Sequence, residues 1–333
     1  GGPAYYMKYG LGKGWMGILF AVLMIITFGF AYNSVQSNTI CLAWQKAFGI
    51  EPATMGIALT VLTLLIIFGG IHRVAKFSST VVPVMAVVYL LIAVGVVVWN
   101  ITSLPKVLLT IVENAFGFNQ AAGGVLGVTV IQGIKRGLFS NEAGEGSAPN
   151  AAAVATVSHP VKQGLIQALG VFTDTLVVCS CTAFIILVSG VDLTASNGIQ
   201  LTQDALTHEI GSIGNPFVAV MIWLFAFSSI IGNYYYGETN VRYIRDSKLG
   251  VFIYRLAVAA MVMVGAVVSL DFAWSFADIT MALLTLCNLV AIVLLSRQAV
   301  FLLKDYRQQK KEGKNPVFTK NKMPEIADKL EAW

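Results

Sequence analysis

Residues 139–150 place the densest polar chemistry of this chain inside an apolar stretch. Their sequence, FSNEAGEGSAPN, holds two carboxylates, two hydroxyls and two amides, and the surrounding apolar segment covers 121–157. Unpaired backbone groups in hydrocarbon cost several kcal/mol each, so a break here must be buried in protein or line a wet cavity. Half-helix ends at such a break can bind a carboxylate and a cation. The alternative is a cytoplasmic loop, with 121–138 spanning the membrane alone and 151–157 leading into the next helix.

Charged side chains also fall inside apolar segments near this break. Lys135 and Arg136 precede it, and a charge at that depth faces protein or a wet cavity because burying it in lipid costs several kcal/mol. Glu142 and Glu145 are nearby candidate partners. Asp174 either binds a cation or neutralises one of the two basic residues. We predict that these five residues form an intramembrane charge network.

Hydroxyl and amide groups in two other apolar segments could bind a solute or a cation. Ser228 and Ser229 follow a strongly apolar run, and Asn233 lies one helical turn after Ser229 on the same face. Hydroxyl oxygens suit a small hard cation, but serines in membrane helices also bond backbone carbonyls, and both interpretations stay open. Gln36 can donate and accept hydrogen bonds, either to an amino-acid ligand or to another helix.

Membrane helices are the elements that must hold these residues. Of the 333 residues, 56% are hydrophobic and 12% are charged, whereas soluble domains carry about 25% charged residues. A helical crossing needs about 20 largely apolar residues. Eight segments qualify, at 14–37, 54–70, 79–101, 121–157, 164–190, 216–236, 251–270 and 274–296. The predicted fold class is an all-α polytopic membrane protein with one discontinuous helix.

The distribution of Lys and Arg predicts the orientation of these spans. Nine Lys or Arg and five Asp or Glu follow Leu295, so a transmembrane domain over 1–303 is followed by a basic tail over 304–333. With that tail cytoplasmic and an even number of spans, both ends lie inside, and eighteen basic residues fall inside against two outside. The expected location is the plasma, or inner, membrane, and the basic excess favours an anionic leaflet over nucleic acid.

Shorter helices and a loose tail complete the predicted organisation. Residues 104–118 have the one-sided apolar stripe of an interfacial helix, and Ile199–Ile210 is too polar for hydrocarbon and is predicted to lie in an outer loop. The tail is polar, basic and interrupted by Gly and Pro, which predicts partial disorder beyond Leu303.

Two other classes of protein fit the sequence less well. An intramembrane enzyme needs a nucleophile or a metal site at depth, and the three histidines fall at predicted span ends or loops. The four cysteines have no zinc spacing. We therefore expect no enzyme activity, no cofactor and no metal beyond sodium. A passive channel also uses Gly-rich broken helices and stays open as an alternative.

Four stretches of the chain resemble the alanine or glycine:cation symporter family, the sodium:alanine symporters. They are GGPAYYMKYGLG, FGFAYNSVQSNTI, GIKRGLFSNEAGEGSAPNAAA and GNYYYGETN. The resemblance extends over essentially the whole chain. It implies a LeuT-type inverted repeat of five helices followed by five of opposite topology, in which the segment at 121–157 corresponds to the broken sixth helix.

The resemblance also implies a function and roles for individual residues. The function is symport of a small neutral amino acid (alanine, glycine or serine) with sodium, or with a proton in its place, by alternating access. By motif match, Gln36, Phe139, Ser140, Ser229 and Asn233 contact the substrate. Ser228 and Ser229 offer hydroxyls to sodium. Some relatives carry Trp where Asn233 stands, which leaves side-chain selection open at that position.

The first two helices of the family's fold have no counterpart in the sequence. The eight predicted segments match the family's third to tenth helices, and the first helix of the family supplies much of the carboxylate and sodium site. We therefore expect the 333-residue chain by itself to bind and transport poorly. The partners implied by the resemblance are the amino acid, sodium and the lipid bilayer.

Overall fold

The computed structural model describes residues 1–69, 71–116 and 125–330, and it shows the side chains of these residues except at 71–82, 116 and 125–129. Helices α1 to α13 follow one another as Pro3–Tyr5, Gly14–Phe48, Pro52–Ile67, Ile71–Trp99, Leu104–Phe116, Val125–Asn141, Ala148–Ala152, Pro160–Ser189, Ile199–Ile210, Gly214–Ile244, Lys248–Val267, Leu270–Leu294 and Ser296–Lys311. The part of the chain so described contains no strand, in agreement with the predicted all-α class.

Three π-helical stretches interrupt this regular pattern. The first, Tyr6–Gly10, continues α1, and the others lie within α2 at Ile25–Tyr32 and within α8 at Asp174–Cys179. A wider helical turn displaces backbone groups from their usual register and is frequent at functional sites. Tyr32 ends the stretch in α2 and Asp174 begins the one in α8, so two polar residues beside the break occupy irregular backbone.

The centre of the fold is α2, packed between α10, α11 and α12. The α2–α11 contact is very close, since a Cβ atom on Gly265 would lie 2.5 Å from Ser34 Cα. The Ser37 hydroxyl donates to the Val262 carbonyl over 2.6 Å, and the Asn38 amide donates to the Gly265 carbonyl over 3.0 Å. Small residues and side-chain hydrogen bonds hold membrane helices together where the hydrophobic effect cannot.

The number of membrane-spanning helices differs from the sequence prediction. By length and composition, five described helices can cross a bilayer, and a sixth crossing is possible if Pro83–Trp99 and Leu104–Ala115 count as one bent span. Two of the eight predicted segments do not qualify. One is the 16-residue α3, and the other is α6, which has 17 residues, among them Lys135 and Arg136. The start of the predicted segment at 121–157 and the end of the interfacial helix, within 117–124, lie outside the described residues.

Both helices predicted outside the spans are present. The axis of α5 turns by 99° from that of Pro83–Trp99, which is the geometry expected of a helix lying in the interface. The helix Ile199–Ile210 has the predicted bounds. It is tied to α2 by an ion pair of 2.6 Å between Lys46 and Asp204, and by a 2.9 Å hydrogen bond from Gln203 to the Ala43 carbonyl.

The basic tail is docked on the helices, contrary to the predicted disorder. Helix α13 runs through residue 303 without interruption, and the chain then turns back so that the Phe318 amide donates to the Ser158 carbonyl over 2.8 Å. Phe318 is buried against the ring of His159. An aromatic residue in a polar, Gly- and Pro-containing tail was the available signal that the tail is anchored.

Candidate substrate and ion site at the helix break

The break between α6 and α7 is a compact, buried turn. Residues 142–147 are not helical, and three of them have positive φ: Glu142 at 48°, Gly144 at 79° and Gly146 at 83°. A Cβ atom on Gly146 would lie 2.8 Å from Pro3 Cγ. Glu145 and Ser147 have no exposed surface. The turn is therefore packed against other parts of the chain, and its position relative to the membrane stays a prediction.

Side-chain amides from two helices satisfy the backbone that the break leaves free. Asn288 of α12 donates to the Gly144 carbonyl over 2.8 Å, and it accepts a hydrogen bond from the Tyr6 hydroxyl. Asn150 donates to the Gly146 carbonyl over 3.0 Å and accepts from Asn240 of α10 over 3.3 Å. Neutral groups therefore hold the break in place, as required of irregular backbone at membrane depth.

Glu145 is the most isolated polar group of the break. The Tyr32 hydroxyl donates to its Oε1 over 2.8 Å. Its Oε2 is buried and has no hydrogen-bond partner among the described residues. Within the described part of the chain, Glu145 is therefore hydrogen-bonded to one other helix, α2, through Tyr32 at the end of the π-helical stretch.

Phe139, a predicted substrate residue, lies in an aromatic row beside this link. Its ring centroid is 4.7 Å from that of Tyr32 and 4.8 Å from that of Trp274. The Arg136 guanidinium lies 4.2 Å from the centroid of Trp274, within the range of a cation–π contact. The row joins α2, α6 and α12 directly before the break.

The predicted charge network is divided between several partners. Arg136 donates to both oxygens of Asp278, at 2.6 and 2.7 Å, and Lys135 lies 3.7 Å from the same carboxylate. The basic residues are therefore neutralised from α12 and not by Glu142, Glu145 or Asp174. Asp278 was missed from the sequence, although an acid four residues after Trp274 in an apolar span was a signal of buried pairing.

The acids expected in that network have other contacts. Glu142 accepts a hydrogen bond from the Ser147 hydroxyl across the break. Asp174 accepts from the hydroxyl of Ser140, a predicted substrate residue, over 2.7 Å. Ser140 is exposed and also lies 3.3 Å from Cys179 Sγ. Its hydroxyl connects α6 to the π-helical stretch of α8.

Gln36 lies on α2, the helix that contains Tyr32, and Asn233 lies on the neighbouring α10. Asn233 is buried, and its amide donates to the Asn33 oxygen over 3.2 Å. Asn33 in turn donates to the Gly29 carbonyl over 3.0 Å, inside the π-helical stretch. Gln36 is half-buried one turn after Tyr32. The structure thus brings Phe139, Gln36 and Asn233 to the same part of α2.

Ser228 and Ser229 make the backbone contacts that were the alternative to ion binding. Both hydroxyls donate to the Phe225 carbonyl, over 2.7 and 3.2 Å. A hydroxyl that donates to its own helix still presents oxygen lone pairs, so these contacts leave both oxygens able to accept a cation. Both side chains are half-buried.

Helices of spanning length, close small-residue packing and a buried helix break define a polytopic membrane protein built around an internal polar site. The model of the sodium:alanine symporter family matches residues 1–320. The chain belongs to this family of sodium-coupled amino-acid symporters. It is a transporter and not an enzyme, as expected from the sequence.

Three relatives illustrate the range of names within the family. The probable sodium/glutamine symporter GlnT of Bacillus subtilis is 55% identical over 96% of this chain and 67% of the relative. The sodium/proton-dependent alanine carrier protein of Bacillus sp. strain PS3 is 37% identical over 90% and 71%. The sodium/alanine symporter AgcS of Methanococcus maripaludis is 35% identical over 95% and 71%. The chain thus spans about 70% of the length of these relatives.

Proposed function

We propose that the protein imports a small neutral amino acid together with sodium by alternating access to a site beside the helix break. The observation that carries the proposal is the break itself. A polar turn, in which Glu145 and Ser147 are buried and no cation faces Glu145 among the described residues, lies where helix ends meet in a family of sodium-coupled amino-acid symporters. Such a turn can bind the two charges of an amino acid without a permanent ion pair.

The substrate site comprises Gln36, Phe139, Ser140, Ser229 and Asn233 in this proposal, and the sodium site includes Ser228 and Ser229. The geometry supports these assignments in part. The Phe139 ring contacts the Tyr32 ring in a tilted arrangement, Gln36 follows Tyr32 by one turn, and the Asn233 amide donates to Asn33. Among the described residues the Gln36 amide has no hydrogen-bond partner, which leaves its donors and acceptor available to a ligand.

The proposed architecture is the LeuT-type inverted repeat, with this chain supplying the third to tenth helices and both of its ends in the cytoplasm of the cell. The Lys and Arg bias supports that orientation. Transport assays therefore use the full-length protein in its natural membrane context or in proteoliposomes, so that the complete site is tested.

Alanine and glycine are the proposed substrates, with serine next. Two relatives carry alanine in their names, whereas GlnT is named for glutamine. Competition separates these possibilities. We expect unlabelled alanine or glycine to inhibit the uptake of labelled alanine at lower concentrations than serine or glutamine. Preferential inhibition by glutamine would overturn the choice of a small substrate.

The coupling ion and the transport mode are tested on the same vesicles. An inward sodium gradient should drive saturable alanine uptake, and lithium or choline in its place should not. Preloaded alanine should accelerate entry by exchange. Uptake driven equally well without sodium by a proton gradient would support the proton-coupled alternative. A flux that neither saturates nor exchanges would indicate a channel.

Gln36→Leu tests the site assignment. Loss of the amide should raise the KM for alanine by about tenfold, corresponding to about 1.4 kcal/mol of binding free energy. Gln45→Leu is the matched control, since Gln45 is exposed on the same helix. Equal effects of the two substitutions would contradict a substrate contact at Gln36.

A further inference from the structure

Glu145 is a buried carboxyl group with no compensating cation among the described residues. It has no exposed surface, and within the described part of the chain Tyr32 alone donates a hydrogen bond to its carboxyl group. The nearest basic residues in sequence, Lys135 and Arg136, both face Asp278. Among the described residues, Oε2 of Glu145 has no hydrogen-bond partner, whereas the Gly144 and Gly146 carbonyls on either side each accept a hydrogen bond.

The groups that face the break offer no positive charge to an ionised Glu145. The titratable side chains nearest to it are Tyr32 from α2 and Glu142 within the break. Tyr236 of α10 faces Glu142, and Tyr6 reaches the break through Asn288 of α12. Of the two other acids near the break, Asp278 is neutralised by Arg136, and Asp174 faces Glu142 and accepts a hydrogen bond from Ser140.

This environment favours the neutral form of the carboxyl group. A carboxylate buried without a partner costs several kcal/mol, and neutralisation removes that cost. One proton on Oε2 neutralises the group without any further ligand. A sodium ion would need several oxygen atoms converging on the same point. Among the described residues, the side-chain contacts of the Glu145 carboxyl group include a single oxygen donor, the Tyr32 hydroxyl.

We propose that Glu145 is a proton-binding residue of the transport cycle. The inference rests on the proposed transport of an amino acid and adds a second coupling ion to it. The Glu145 carboxylate takes a proton from water when the break opens to one side of the membrane. The neutral acid persists in the closed arrangement of this structure, and the proton returns to water when the break opens to the other side.

Tyr32 links this proton to movement of the helices. Its hydroxyl joins Glu145 to α2, and its ring contacts that of Phe139 in the proposed substrate site at a tilt of 56°. Ionisation of Glu145 introduces a negative charge at the end of the π-helical stretch. The charge is tolerated only where water can reach it, so ionisation favours an open break.

The test follows proton movement in proteoliposomes that hold the full-length protein and an entrapped pH-sensitive dye. Sodium is equal on both sides, and alanine is added outside. The wild type should acidify the lumen, and Glu145→Gln, which imitates the neutral acid, should abolish this acidification. Exchange of alanine for alanine should persist in the variant at a reduced rate, because exchange does not require the proton to leave.

Glu51→Gln is the control for removal of a carboxylate outside the break. Glu51 is exposed between α2 and α3, so this variant should acidify the lumen as the wild type does. The proposal is overturned if Glu51→Gln abolishes proton movement to the same extent as Glu145→Gln. It is also overturned if Glu145→Gln keeps proton movement and instead raises the sodium concentration needed for half-maximal uptake.

Measurements on the wild-type protein alone distinguish a failure of the inference about Glu145 from a failure of the proposed function. If the wild-type protein takes up alanine with sodium but moves no protons, the inference about Glu145 fails and the proposed function stands. If the wild type shows no coupled uptake of any amino acid, the proposed function fails first. The two failures are therefore distinguishable in the same vesicles.

Discussion

The helix break and the docked tail are both polar, but they are held by different forces. In the break, the Asn288 and Asn150 amides donate to carbonyls of the turn and themselves accept hydrogen bonds from Tyr6 and Asn240. Glu145 has no opposite charge among the described residues. In the tail, the Asp305 carboxylate contacts Lys322 at 2.7 Å and the buried His159 at 3.2 Å. Glu145 and Ser147 in the break are fully buried, whereas the Asp305 side chain is 18% exposed.

The two regions should therefore differ in how well they tolerate substitutions. Buried neutral hydrogen bonds depend on close geometry, because a lost partner leaves a desolvated group behind. Charged contacts at the surface depend less on geometry, because water and salt replace them at small cost. We therefore expect substitutions in the break to have large effects and those in the tail to have small ones.

Gly146→Ala should have the largest effect. The residue has φ of 83°, and the new Cβ atom would meet Pro3 at 2.8 Å and Asn288 at 3.0 Å. Strain and overlap together should cost roughly 1–3 kcal/mol and distort the proposed site. We expect a lower melting temperature in detergent and a clear loss of sodium-dependent alanine uptake.

Gly164→Ala is the control for that substitution. Gly164 lies within α8, and nothing lies within 4 Å of the position that an added Cβ atom would take. Alanine there should be neutral or should stabilise the helix by up to about 1 kcal/mol. A Gly146→Ala protein as stable and active as Gly164→Ala would show that the break is less tightly fixed than its packing indicates.

Asp278→Asn should have an intermediate effect, since the pair it forms with Arg136 combines features of both regions. The carboxylate is 19% exposed but Arg136 is 39% exposed, so water screens the contact in part. Loss of the charge leaves Lys135 and Arg136 uncompensated, and we expect a cost of about 1–2 kcal/mol. The measurement is thermal stability in detergent.

A double-mutant cycle checks that this cost comes from the pair. In an Arg136→Gln background, Asp278→Asn should cost clearly less than it does alone. Asp271→Asn is the matched control, because Asp271 is exposed in the first turn of the same helix and its loss should cost less than about 1 kcal/mol. Additive effects of the two pair substitutions would contradict direct coupling.

The sequence predicted the elements better than it predicted their contacts. Periodicity and polar runs are properties of short stretches, so local composition was enough to predict three elements. They are the helix at Ile199–Ile210, the interfacial helix α5 and the interruption at 142–147. Fewer described helices reach spanning length than the eight segments predicted, since hydropathy alone did not show that α3 ends after 16 residues.

Partners that are distant in sequence were beyond this kind of reasoning. Asp278 is 142 residues from Arg136, and Tyr32 is 113 residues from Glu145. Nothing local distinguishes Asp278 from Asp174 as the acid that neutralises Arg136. The position of α12 beside α6 decides between them, and it depends on contacts that involve several helices of the bundle.

Asp305→Asn should have a smaller effect on stability. It weakens the contacts of one carboxylate with Lys322, His159 and Gln309. Partly exposed ion pairs contribute about 1 kcal/mol or less, so the melting temperature should fall only slightly and transport should continue. Glu325→Gln, at an exposed position of the same tail, is the control and should have no measurable effect. A loss of transport comparable to that of Gly146→Ala would remove the distinction between the two regions.

The smallest effect is expected from pH and salt acting on the tail of the unaltered protein. Burial opposes ionisation of Asp305, but hydrogen bonds from Lys322, His159 and Gln309 outweigh it and hold the pKa of this carboxyl below its usual range. A lowered pKa in the folded state stabilises docking at pH values above the unfolded value of about 3.9, and this contribution disappears as the pH falls through the folded value.

Hydrogen exchange at the Phe318 amide, which donates to the Ser158 carbonyl, reports tail docking directly. After correction for the intrinsic pH dependence of exchange, its protection should be constant near neutral pH and should decrease below about pH 4. Raising the salt concentration to about 1 M should weaken the same protection, because it screens the Asp305 contacts. The backbone amide of Asn150, which donates to the Ser147 carbonyl at the end of the break, should show neither dependence, since neutral hydrogen bonds hold this residue. Equal responses at both amides would mean that charge holds the break as well, and Glu145 would then need a cation partner.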